Sequence, residues 1–125
     1  MSLVYLELDD LLVIAAAILK HGPEVRDHGL LECALVRPRA TVFGEDAYPT
    51  LDEKAAALLL SLVSNHALID GNRRLGWVAT RIFYAINDND LHPTHDRARE
   101  FVLAIASGEL TDVAKVAATL RHWHR

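Results

Sequence analysis

"EKAAALLLSLVSNHALIDGNRRLGW", residues 53–77, decides how the chain reads. Its first part is apolar on nearly every side, as expected of a helix surrounded by its neighbours, and Thr50 with Glu53 forms a capping-box pattern that starts it. The apolar run carries this central helix through Ile69. Asp70-Gly71-Asn72-Arg73-Arg74 then breaks the pattern. Beyond it Leu75, Val78, Ala79, Ile82, Phe83 and Ile86 form a new helical stripe that runs out at "NDND".

Outward from this pair the chain stays helical. Upstream, Leu8, Leu11, Leu12, Ala15, Ile18 and Leu19 make one stripe, stopped by "KHGP". A shorter helix follows Asp27 through "GLLECALV" and ends before Pro38, because proline disfavours helical geometry in the residue preceding it. Glu24, Arg26 and Asp27 read as a charged surface turn. "RPRATVFGEDAYPT", residues 37–50, has no helical period and reads as an ordered loop or flap. Downstream, helices are expected at roughly 95–106, with Phe101, Val102 and Ile105 inward, and roughly 110–122, with Val113, Ala117 and Leu120 inward. The expected fold is all-α, a compact orthogonal bundle of about six helices with a short flap before the central one.

Composition narrows the class. A chain of 125 residues, 51% hydrophobic and 24% charged, is expected to form one domain around a single core without disulfides or a structural metal. A net charge of −4 argues against a general nucleic-acid or membrane-surface binder. Cys33 is the single cysteine, so no internal disulfide can form; a core position and a reducing compartment are expected. The N-terminus lacks the basic start and long apolar stretch of a signal peptide, and "AAALLLSLV" is too short to span a bilayer, so a cytoplasmic location is expected.

The chemistry concentrates at 66–74. Glycine and asparagine between two helices leave unpaired backbone N–H groups at a helix N-terminus, where an anion such as phosphate is favoured. Arg73 and Arg74 put two cations in that same first turn, where they are unfavourable unless an anion neutralises them. His66 and Asp70 are four residues apart, which on a continuing helix places imidazole and carboxylate on one side of its last turn. A histidine there can take a proton from an attacking hydroxyl, and an aspartate can hold Mg2+ bridging phosphate oxygens. "HPTH" and "HWHR" hold paired histidines without cysteine or carboxylate support at a ligand spacing, and no metal is expected there. Trp77 and Arg81 share a face with Arg74, where they either line the ligand pocket or pack beneath it, and Arg81 is the one expected to help hold the ligand.

"HALIDGNRRLGW" resembles the Fic/Doc signature, H-x-F-x-[D/E]-G-N-[G/K]-R-x-x-R, in its shorter Doc-like form, and the resemblance to death-on-curing toxins extends back to "GLLECALV". It implies that His66 and Asp70 are catalytic, with Asp70 either orienting His66 or binding Mg2+, and that Gly71, Asn72, Arg73 and Arg74 hold the phosphates of ATP. It also implies a flap, here Val42 and Phe43, that aligns the target segment as an added strand. Three positions depart from the pattern. Leu68 replaces phenylalanine at a packing position, Trp77 replaces the final arginine, and Arg73 stands where AMP-transferring members have glycine and Doc toxins have lysine. A long cation at 73 partly fills the space that glycine leaves open, so the nucleotide is expected to be reoriented. The function implied is a Doc-type toxin kinase that passes the γ-phosphoryl of ATP to a threonine of elongation factor Tu, arrests translation and is neutralised by a Phd-type antitoxin. AMP transfer to a protein hydroxyl and a non-catalytic binding protein of the same fold are the alternatives.

Overall fold

The computed structural model describes residues 2–20 and 22–124. Six helices are found, α1 (Leu8–Ile18), α2 (His28–Val36), α3 (Leu51–Ser64), α4 (Asn72–Ala85), α5 (His95–Ala106) and α6 (Val113–His122). Most begin at a side chain that accepts a backbone N–H. Asp27 accepts from Leu30, Thr50 from Glu53, Thr94 from Arg97 and Asp112 from Ala114, which satisfies donors that the first turn leaves without partners. In α1 a capping box between Glu7 and Asp10 does this work. The Asp112 cap also explains why α6 starts at Val113, slightly later than its apolar pattern implies.

α3 is the axis of the molecule. Every residue from Lys54 to Val63 is buried, and α2, α4, α5 and α6 all pack on it. The closest of these contacts depends on Gly76: a Cβ there would lie 2.7 Å from Val63 Cγ2, so only glycine lets α4 approach α3 so closely. Lys54 is buried by design of its partners, donating from Nζ to the Pro38 carbonyl and to Asp46 Oδ2, both at 3.2 Å. It thereby ties the root of the flap to the core.

The flap is an ordered hairpin. After a 3-10 turn at Arg37–Arg39, strand β1 (Thr41–Val42) pairs antiparallel with β2 (Glu45–Asp46). Val42 and Phe43 are 55% and 102% exposed, with Phe43 at φ 52° on the tip, so neither anchors the hairpin to the core.

Two expectations are corrected. Cys33 is exposed rather than core, because the buried face of α2 is formed by Leu31, Ala34 and Leu35. The central helix stops at Ser64 rather than reaching Ile69. Ala67 and Leu68 are buried, which is why they read as helix, but the Ala67 carbonyl and the Ile69 N–H on either side of Leu68 bond to another segment. Arg26 and Asp27 donate their N–H groups to the Ala67 carbonyl at 2.8 and 3.1 Å, Ile69 donates to the Glu24 carbonyl at 3.0 Å, and Val25 forms an antiparallel bridge with Leu68.

Candidate functional site

The loop between α3 and α4 is built by backbone geometry that the helices cannot supply. Asn65 closes α3, and His66 then turns the chain with φ 54°, in the left-handed region that non-glycine residues adopt uncommonly. The Arg26 guanidinium donates to the His66 carbonyl, fixing the strained peptide from outside. The imidazole itself is exposed and makes no hydrogen bond among the described residues. His66 and Asp70 therefore do not share a helical turn, since α3 has ended before either is reached.

Asn72 closes the loop. Its Oδ1 accepts from the Leu68 N–H and its Nδ2 donates to the Leu68 carbonyl, both at 2.9 Å. These two bonds shape the turn and leave one Nδ2 hydrogen and one Oδ1 lone pair uncommitted, while the Asn72 backbone N–H stays at the start of α4. Gly71 caps α4 at φ 90°, with no side-chain hydrogen bond, and a Cβ there would meet Leu19 Cδ2 at 2.9 Å. The first helical bond of α4 runs from the Leu75 N–H to the Gly71 carbonyl. The N–H groups of Asn72, Arg73 and Arg74 precede it and carry the partial positive end of the helix.

His66, Asp70, Gly71, Asn72 and Arg73 line one pocket of about 210 Å3. Despite the early end of α3, the turn brings the candidate base, carboxylate and cation to the same opening. Asp70 is the acidic residue of this lining, is exposed, and has no cation within 4.0 Å among the described residues. Arg73 and Arg74 likewise have no carboxylate in that range. Arg74 lies one step away, lining with Arg73 a second pocket between α4 and α5.

Arg81 is not part of either pocket. It donates to Asp90 Oδ1 at 2.9 Å and to the Leu91 carbonyl at 3.2 Å, and its hydrogen bond holds the Asp90 carboxyl below the usual carboxylate range. One helical turn beyond Trp77, it points toward the α4–α5 connection. Arg26 was missed: the charged turn at 24–27 is a support of the His66 loop, and nothing in its own sequence pattern signals that.

The arrangement is a strained loop that presents an unpartnered imidazole, carboxylate and guanidinium around a helix N-terminus. It suits a reaction in which a proton leaves a hydroxyl beside a bound phosphate. Comparison with known proteins agrees with the motif. A family model described as the Fic/DOC family matches residues 5–84. The toxin Doc of Mycolicibacterium smegmatis (strain ATCC 700084 / mc(2)155) is 44% identical over 118 residues, covering 93% of this chain and 90% of that protein.

Proposed function

The chain belongs to the Fic/DOC family, and from that premise we propose that it is a Doc-like toxin kinase. It transfers the γ-phosphoryl of ATP to a threonine hydroxyl of elongation factor Tu, arrests translation, and is neutralised by a Phd-type antitoxin. The observation that carries the reading is the shared pocket of His66, Asp70 and Arg73 at the start of α4.

The chemistry follows from what each group can do there. The target hydroxyl oxygen attacks the γ-phosphorus, the bond from that phosphorus to its bridging oxygen breaks, and ADP leaves. His66, with no competing hydrogen bond among the described residues, takes the hydroxyl proton as the oxygen attacks. Arg73 and the N–H groups opening α4 meet the phosphate charge. Asp70 fits Mg2+, a hard cation that commonly takes one or two carboxylates together with substrate phosphates, because its carboxylate lines the pocket without a cation of its own. Held there by Asp70, Mg2+ would supply positive charge to offset that of the phosphates. The exposed edge of the flap at Val42 and Phe43 offers an extended target segment a strand to pair with.

The test uses the purified protein, a bacterial lysate, and ATP labelled at either the α or the γ phosphate, with His66→Ala as control. γ-label on a band matching elongation factor Tu, absent with the variant, is the expected result. α-label would replace kinase action by AMP transfer, and no label from either would remove the transferase reading.

A further inference from the structure

The second pocket, about 280 Å3 between α4 and α5, has a chemistry that phosphate contacts alone do not use. Its rim carries Arg73, Arg74 and Arg99, all exposed, and no carboxylate lines it. None of the three arginines has a carboxylate within 4.0 Å among the described residues. Its floor is apolar, formed by Trp77, Ala98 and Val102. The indole of Trp77 is held edge-on by Trp123 at 6.1 Å, and Trp123 is held in turn by Phe101 at 5.0 Å, so this floor is set before any ligand arrives.

Uncompensated cations over an aromatic floor select a flat aromatic group that carries negative charge at one end. Arg73 is a wall of both pockets, so one ligand can occupy the two together. We propose that the α4–α5 pocket seats the base and ribose of the nucleotide, with Trp77 as the stacking surface and Arg99 closing over the base. This rests on the ATP reading above and adds to it a residue that determines which donor is held. From that seat the triphosphate runs back past Arg74 and Arg73, and its terminal phosphoryl reaches His66. Trp77 stands where the family signature has an arginine, so this chain presents an aromatic face where the signature has a cation.

Calorimetric titration with Mg-ATP and with Mg-tripolyphosphate separates the seat from the phosphate site. The native chain is expected to bind ATP about tenfold or more tightly than tripolyphosphate, the size of one base–aromatic stack. Trp77→Leu is expected to bring ATP down to the tripolyphosphate level while leaving tripolyphosphate unchanged. Arg99→Ala, at an exposed position where the fold is not at stake, is expected to weaken ATP more than tripolyphosphate. Equal affinity of the native chain for both ligands, or an ATP preference that survives both substitutions, overturns the seat and leaves the transferase reading standing. Failure of the native chain to bind either ligand overturns both.

Discussion

The paired helices α3 and α4 hold a polar cluster at each end, and the two are opposites. At one end Asp52 is buried and accepts from the Tyr84 hydroxyl at 2.7 Å, with Arg121 Nε at 3.5 Å and His124 Nε2 at 2.7 Å from its oxygens. Burial, then the hydrogen bond to Asp52, push the Tyr84 phenol above its ordinary range. At the other end His66, Asp70 and Arg73 are exposed, without ion-pair partners among the described residues, and sit on a backbone held at positive φ by Arg26 and Asn72. Polar groups at the closed end gather on Asp52, where Tyr84 makes the hydrogen bond and His124 Nε2 is close but not aligned for one, and they hold the C-terminal residues to the core. At the open end they are kept apart from partners, which leaves their charge and lone pairs for a ligand.

Substitutions should therefore separate activity from stability. The largest effect is expected from His66→Ala: transfer falls by about 10²–10⁴-fold, the usual contribution of a general base, while urea unfolding shows a loss of no more than about 1–2 kcal/mol, the cost of holding alanine at a φ of 54°. A comparable loss of stability would place His66 in the structure rather than the chemistry. Tyr84→Phe should do the reverse, costing about 1–3 kcal/mol because Asp52 stays buried with one donor fewer, and leaving initial rates of the folded fraction alone. The pH dependence sharpens this. A phenol whose folded pKa is raised contributes stability that is intact below its unfolded value near 10 and declines as pH rises beyond it. Unfolding curves between pH 8 and pH 11, about the working range for that titration, should fall less steeply for the phenylalanine variant.

Gly71→Ala crosses the division. With φ at 90° and Leu19 in the way, it should cost about 1–2 kcal/mol in melting experiments and also reduce transfer, because the same residue shapes the loop and opens α4. Full activity in that variant would uncouple the turn from the reaction. The smallest effect belongs to Arg81→Ala, expected to leave nucleotide affinity unchanged by titration, since its guanidinium is engaged with Asp90 and Leu91 away from both pockets.

How far these clusters could be read in advance differs between the two ends. The motif at the open end is contiguous, so its residue types alone point to phosphate, base and cation. The closed end is assembled from Asp52, Tyr84, Arg121 and His124, which come from separate elements, and no local pattern announces their meeting. The same reason hid the role of Arg26, forty residues from the carbonyl it supports. Asn72 and Arg81 were read by position on a motif and a helix face. Their partners in the fold, Leu68 and Asp90, lie outside those patterns, because a side chain goes to the partner its surroundings bring within reach.

By itself the sequence determined the six helices, the starts of two of them at Asp27 and Thr50, the flap before the central helix, and the family carried by residues 66–74. These are local properties, set by periodicity, capping and turn chemistry over a few neighbouring residues. Where α3 stops was decided only in three dimensions. Ala67 and Leu68 are as apolar as the helix before them, but residues 24–27, distant in sequence, took the Ala67 carbonyl and the Ile69 N–H, and the Asn72 side chain took both backbone groups of Leu68. That long-range exchange of hydrogen bonds set His66 in its turn and gave the molecule its open pocket.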